Sequence, residues 1–549
     1  MQSGTVSAQI PSEYVGSMYC AKVSGTIKAG MVLQTLTQNF VDGAVQETIT
    51  KDLAAVTGQT FVRIEPNSIK TDVDLENRVN LRLYQSIASG EVIDFTIRVA
   101  APQVEAGVTA SPFISTVSGA VSEVRGRPSI LVVPQLTKAG TVYPQLPTVS
   151  GADFTFTRAT TATRVNASGL IESVASGLLR LDYPIGGGCP AALIEPAATN
   201  FARNVQFMTS QDTSAASGGM TITTGSTDFL APDGTSGSIT KYVGGAASGI
   251  SQYAYDAIGY TVTSAGQHTF SLFVKAGSSN PANFIRLRFA GWTSATGTSD
   301  TYFSLASGTA LTAGASIQNY GNGWYRLISA PYTIASGDLQ GLVTISLAEA
   351  DNDVSWPASG ALNLTAYTWG AQLETGAIPT SYIPTTTASA TRNADVCSVS
   401  GVSGYIGQTE GSVYMEVDLR DLNTGVFRRL IAISDNTSSN LMQVNVLNTT
   451  SRIQFNITTA GGSQASMLST LAYSGVVKIA FAYALNDVVL YVNGVQIDTD
   501  TSATIPACSK INLGSTFDGA NQLNNRIRAA AIYTTRLSND QLESITRLT

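Results

Sequence analysis

Histidine is almost missing from this chain: one residue, His268, stands among 549. It falls in the strand-like run HTFSLFVK, and neither a histidine-based triad nor a multi-histidine zinc site can be assembled from it without partners. Charge is scarce too. Asp, Glu, Lys and Arg make up 13% of the residues, about half the roughly 25% of an ordinary globular chain. The net charge is -7 and the basic residues are scattered singly, which argues against a nucleic-acid groove. The cysteines Cys20, Cys189, Cys397 and Cys508 form no CxxC pair, so thiol ligation of a metal is not expected and buried, reduced thiols are. No apolar run approaches the ~18 residues of a membrane helix. The opening MQSGTVSAQIPSEY carries no charged n-region and no apolar h-region, so it does not read as a secretory signal.

Ser, Thr, Gly and Asn fill the space that charge leaves. With 50 glycines and short runs of Val, Ile, Thr and Tyr, the chain reads as all-β, built from serial β-sandwich modules. Its length suggests three or four domains. Three blocks repeat in the same order. The segment YTWGAQLETGAIPTSYI aligns without a gap on RVAAPQVEAGVTASPFI, setting Gln372 on Gln103, Glu374 on Glu105 and Ile383 on Ile114. Upstream, WYRL at Trp324 resembles FVRI at Phe61, and Lys275 in FSLFVKAG resembles Lys22 in MYCAKVSG. A duplicated module is expected, and its first copy lacks the strands within Val205 to Ala254. An edge left open in this way is expected to be covered by a neighbouring subunit.

The expected domains are a shortened sandwich over 1–117, a hairpin-rich connecting segment over 118–198, a second sandwich over 199–390 and a jelly-roll over 391–549. In the connecting segment, TFTRATTATRVNASGLIE predicts a hairpin turning at Asn166 and Gly169. The triplet Gly186-Gly187-Gly188 reads as a turn, because no Lys-Ser/Thr follows and no helix opens after it. Near the end, VVLYVNGVQI predicts a hairpin at Asn493-Gly494. Ser538 opens a short closing helix.

The phrases EGSVYMEVDL, LYVNGVQIDTD, INLGST and IRAAAIYTTRLSNDQLESI resemble a concanavalin A-like jelly-roll of the laminin-G or pentraxin kind. Together, FTRATTATRVNASGLIE, GNGWYRL and WGAQLETGAIPTSYIPTT resemble a recurrent class of tailed-bacteriophage structural proteins, in which they frame a carbohydrate-binding-module-like sandwich. That resemblance spans about Phe154 to Thr549 and implies a virion fibre, spike or decoration protein that contacts host surface glycans. It implies homo-oligomers, trimers above all, and other virion proteins as partners. A chain of extracellular character without an export signal fits the same picture, and it is expected to be made in the host cytoplasm and released on the particle surface.

Sugar recognition needs aromatic faces beside amides, carboxylates and hydroxyls. All four tryptophans, Trp292, Trp324, Trp356 and Trp369, lie in the second sandwich, near Tyr302, Tyr320 and Tyr325. Trp324 and Trp369 sit in strand runs where the first copy has Phe61 and Ala100, which marks them as core. Trp292 and Trp356 sit in loop-like stretches and, with Tyr302, are the candidate carbohydrate-binding residues. Asp351, Asp353 and Asp435 offer oxygen chemistry suited to calcium, without EF-hand spacing, and solvated turns account for them as well. No catalytic residue is assigned. The EXDXE signature of jelly-roll glucanases stops at Glu416-Val417-Asp418 before Leu419-Arg420, and no G-x-S-x-G elbow has a histidine to serve it. A non-catalytic adhesin is therefore expected. The alternatives are a purely architectural decoration or connector protein and a capsule depolymerase, the last of which needs a β-helix periodicity that is not seen.

Overall fold

The computed structural model describes residues 2–6, 13–25, 31–38, 45–53, 62–64, 69–70, 78–84 and 95–106, and then 127–548 except 135, 148–149, 204–214, 217–219, 246–252, 256–258, 293–295, 298, 354–362, 421–426 and 448–449. The chain is all-β: among the described residues the sheets are antiparallel and one α-helix, Asn539–Thr546, closes the chain. It divides into two bodies, 1–124 and 125–549.

Within the first body two small sheets form, one running Gln2–Val6, Arg78–Tyr84, Val32–Gln38, Val45–Asp52, the other centred on Glu13–Gly25. Strand Glu13–Gly25 pairs with Phe95–Ala106 and with Val62–Ile64. The second copy repeats this ladder: Gly266–Ala276 pairs with Thr365–Thr375 and with Trp324–Ile328. Ser17 faces Gln103 as Ser271 faces Gln372, and each ladder then slips by a bulge before Tyr19 or Phe273. Tyr19 faces Arg63 as Phe273 faces Arg326. The duplication is thus present in register and in bulge. One detail differs from the sequence alignment: these registers equate Lys275 with Ala21, one place before Lys22. In the second copy Ile239–Val243 covers the far edge of Thr365–Thr375, and Thr221–Ser226 follows it. Strand Phe95–Ala106 has no such neighbour among the described residues.

The second body holds two fused sandwiches, and their connectivity departs from a serial order. Strands of the segment expected to be a connector enter both sheets of the terminal sandwich. Phe154–Thr157 pairs with Val396–Ser400, Ala191–Ile194 pairs with Asn525–Tyr533, and Ile130–Val132 pairs with the same last strand. Phe154, Phe156, Ile194 and Ile130 are buried in one core with Val413, Phe455, Phe481 and Ile527. The terminal sandwich is therefore built from chain on both sides of the second copy, which is inserted into it. Ala198–Asn200 and Ala390–Arg392 pair side by side where the insert leaves and returns.

Local signals explain the rest. Asn493 and Gly494 take the positive φ values 50° and 81° that a tight two-residue hairpin demands. The Ser538 side chain accepts from the Gln541 backbone while Gln541 reaches back, a capping box that starts the closing helix. Leu542 of that helix packs on Ala480, Ala482, Val489 and Tyr491, the outer face of the sheet. Cys397 and Cys508 are buried, but Cys189 is exposed, a correction to the expectation of buried thiols: it follows the Gly186-Gly187-Gly188 turn, where positive φ throughout carries the chain away from the core. The Cys20 side chain lies outside the described residues.

Candidate functional site

Between the two fused sandwiches lies a cleft of about 340 Å3, at the small end of the roughly 300–1,000 Å3 typical of ligand sites. Gln318, Asn319, Tyr320 and Arg326 of the insert form one wall, with the loop Pro379–Tyr382. Arg164 of the connecting hairpin, with Asp182, Arg420 and Asn524–Arg526 of the terminal sandwich, forms the other.

The insert wall is a tight hairpin. Ser316–Asn319 and Trp324–Ile328 pair across Gly321-Asn322-Gly323, all three with positive φ. Phe273 anchors the wall. Tyr320 meets its ring edge-on at 4.8 Å, and the Arg326 guanidinium lies over it at 5.6 Å. Behind Phe273 pack Trp369, Tyr382 and Trp324, and Ile171 of the connecting hairpin joins this cluster. Trp324 and Trp369 are thus interior, as their strand setting predicts. Trp324 Nε1 also donates to the Leu230 carbonyl at 2.9 Å.

A buried ion network underlies the cleft floor. Arg180 Nη1 donates to Glu195 at 2.6 Å and its Nη2 to Asp395, while Arg158 reaches Asp395 at 3.1 Å. Arg392 donates to Glu195, and the Ser381 amide and hydroxyl each approach Glu195 at 2.7 Å. Burial works against the charged carboxylate of Glu195, but Arg392, Arg180 and Ser381 more than offset it and hold the group well below its ordinary range. Glu374 differs. Burial raises it to about 7, against the lowering effect of the Thr380 hydroxyl and amide that it accepts from. The network joins strands of the terminal sandwich to the loop of the insert, so the walls of the cleft belong to one locked junction.

Three of the four cleft arginines have carboxylate partners: Arg164 with Glu172 at 2.6 Å, Arg420 with Asp418 at 2.9 Å and Arg526 with Asp182. Arg326 is 3% exposed and makes no ion pair among the described residues. Its Nη2 and Nε approach only the Ser271 hydroxyl, at 2.9 and 3.3 Å. Two more buried groups on the lining lack a hydrogen-bond partner among the described residues, Tyr382 Oη and Asn525 Nδ2.

The sequence candidates lie elsewhere. Trp292 is 6% exposed, its indole pressed on Gly341 and packed against Phe289 at 5.6 Å, so it is core and offers no face for stacking. Tyr302 is 4% exposed within strand Asp300–Ser304 and is likewise interior. Both are corrected on the same ground: a sugar platform needs an open ring face, and neither of these buried residues offers one. Trp356 lies outside the described residues. Asp435 accepts from the Thr437 amide and hydroxyl at 2.9 and 2.6 Å and from Asn440 at 2.8 Å, an Asx turn. Asp353 accepts from the Glu349 amide at 3.2 Å across the turn at Asn352, and Asp351 there is exposed. No group of three metal-binding side chains forms among the described residues. His268 is fully buried, its ring between the Gly266 carbonyl at 3.0 Å and the Thr375 hydroxyl at 3.2 Å.

No family profile matches this chain, and no curated protein does. Among solved structures it is similar to a leech intramolecular trans-sialidase, with 16% identity over 26% of this chain and 24% of the other, at a TM-score of 0.23. The chain therefore spans about a quarter of that enzyme's length. It is similar also to the CBM40 module of a Ruminococcus gnavus IT-sialidase bound to α2,3-sialyllactose, with 19% identity over 26% of this chain and 84% of the module, at 0.23. A third is domain 4 of AbnA, a GH43 extracellular arabinanase of Geobacillus stearothermophilus, in complex with arabinotriose: 14% identity, 31% and 82% coverage, and 0.24.

Proposed function

We propose that this chain is a non-catalytic, glycan-binding structural protein of a tailed-phage particle, and that it holds sugar in the cleft between its fused sandwiches. The observation that carries the binding reading is the cleft lining. The half-buried Tyr320 ring stands beside the amides of Gln318, Asn319 and Asn524 and the guanidinium groups of Arg164 and Arg326. Hydroxyl-rich ligands are held by such mixtures of aromatic, amide and charged donors. The same lining argues for binding without turnover. Hydrolysis of a glycosidic bond uses two carboxyl groups, one able to give up a proton near neutral pH. The two that line the cleft, Asp182 and Glu195, are each held by arginine.

The phage assignment rests on the order of phrases from Phe154 to Thr549 and on the low-charge, hydroxyl-rich composition. Many copies on one particle would turn weak single sites into firm attachment. The experiment is retention of the full chain on immobilised bacterial capsule and lipopolysaccharide glycans, with assay of soluble sugar release. Retention without release, weakened by Tyr320→Ala, is the expected result. Fragment release would make the protein a depolymerase, and no retention on any glycan would leave an architectural role.

A further inference from the structure

Among the described residues, the cleft holds one charge without an ion-pair partner and two hydrogen-bonding groups without a hydrogen-bond partner. Arg326 is the charge. A guanidinium with 3% exposure and no carboxylate within ion-pairing range among the described residues is costly, because water is stripped from it and no paired charge replaces the water. Glu374 feels its charge, yet that carboxyl spends its oxygens on the Thr380 amide and hydroxyl and on Gln372. One hydroxyl, that of Ser271, holds two nitrogens of the fork, so the remaining N–H groups keep their capacity to donate.

The other two groups lie on the same lining. The phenol of Tyr382 is 3% exposed and packs on Trp369 at 4.6 Å, with Oη unpartnered. Asn525 is 2% exposed; its Oδ1 accepts from the Arg420 amide at 2.8 Å while Nδ2 has no acceptor. Each unmade buried hydrogen bond weakens a fold, and a site that binds a polar ligand is where such a cost is recovered.

We infer that the cleft takes an acidic glycan, with a sugar carboxylate seated on the Arg326 fork and neighbouring sugar oxygens on Tyr382 Oη and Asn525 Nδ2. This rests on the glycan-binding reading above and narrows it to a ligand class. A planar fork matches a carboxylate in two parallel hydrogen bonds, which a neutral hydroxyl cannot supply. Arg164, Arg420 and Arg526 do not compete for the acid, since each already faces a carboxylate. Binding is expected in spite of the chain's net charge of -7, because Arg326, without an ion-pair partner among the described residues, presents its charge locally.

The test titrates the full-length protein calorimetrically with polygalacturonate oligosaccharides, with the same oligosaccharides after carboxyl reduction, and with neutral dextran oligosaccharides. Tighter binding of the acidic form, by about tenfold or more, is the expected result. Tyr382→Phe keeps the ring and removes only an oxygen that bonds nothing among the described residues. It is expected to lower affinity several-fold with a thermal midpoint no lower than the parent's, and Arg326→Gln to abolish the preference for the acid. Equal affinity for acidic and reduced forms overturns this inference and leaves glycan binding standing. If none of these sugars binds while bacterial surface polysaccharide does, the preference for acid is tested by carboxyl reduction of that polysaccharide, and unchanged retention overturns it. Failure to bind any glycan overturns the underlying reading.

Discussion

Arg180 has no exposed side-chain surface and faces two carboxylates at once, Glu195 and Asp395. Removing it leaves acids buried without their shared cation, and such changes cost about 3–5 kcal/mol. Arg180→Met is expected to lower the urea midpoint accordingly. Arg164→Met, whose partner Glu172 is 36% exposed, is expected to cost about 0–1 kcal/mol. The two glutamates of the junction make opposite demands on pH. Glu195 is held below its ordinary 4.5, so the folded state binds its proton less readily than the unfolded one. Its stabilisation is present above that value and is lost as pH falls toward the folded value. Glu374 is raised from 4.5 to about 7, so the folded state prefers it protonated, and stability declines as pH rises across that interval. Urea midpoints measured from pH 3.5 to 8 are expected to rise and then fall on this account. In Glu374→Gln the decline between about 4.5 and 7 should flatten, and an unchanged slope would assign it to another group.

Among single elements, those legible in the sequence are the ones whose causes are local. The hairpin at Asn493-Gly494, the closing helix behind Ser538 and the hairpin at Asn166 all formed where turn and cap residues place them. Asn166 even closes its own turn, its side chain accepting from the amides of Ser168 and Leu170 at 2.9 and 3.0 Å. Trp292 shows the limit of such reasoning. Glycines and threonines around it describe a loop, but whether the indole points out or back depends on what lies across the sandwich. What lies there is Gly341, 49 positions later, where a Cβ would stand 2.1 Å from the ring. Gly341→Ala is expected to displace the indole and destabilise the insert by about 1–3 kcal/mol through overpacking, read from thermal denaturation. The cleft was hidden for a related reason. Tyr320 belonged to the visible aromatic concentration of the insert, but the contact of Arg526 with Asp182 joins residues 344 positions apart, and no pattern along the chain marks such a pair.

At the scale of the whole molecule, the β class and the duplicated ladder follow from composition and repeat, whereas the interleaving of two sandwiches does not. Strand Phe154–Thr157 alternates buried and exposed like any half-buried strand, and nothing near it tells that its partner begins at Val396. Interleaving makes a prediction that a serial order does not. A fragment over 391–549 lacks Ile130–Val132, Phe154–Thr157 and Ala191–Ile194, and with them the side chains of Ile130, Phe154, Phe156 and Ile194 that fill the core. Each fully buried side chain of this size contributes about 1.5–3 kcal/mol, which together exceeds the roughly 5–15 kcal/mol stability of a typical domain at its lower end. That fragment is expected to be unfolded or aggregated. The opposite excision should succeed. Ala198–Asn200 and Ala390–Arg392 already lie paired, so their ends are within reach of a hairpin turn of about two residues. Replacing 201–389 by such a turn is expected to leave a terminal sandwich that unfolds cooperatively and has lost the cleft. Its stability should fall short of the parent's terminal sandwich, because Glu195 then lacks the Ser381 bonds. Circular dichroism and urea unfolding of the two fragments decide between the architectures: a folded 391–549 beside an unfolded excision product would return the sandwiches to a serial order.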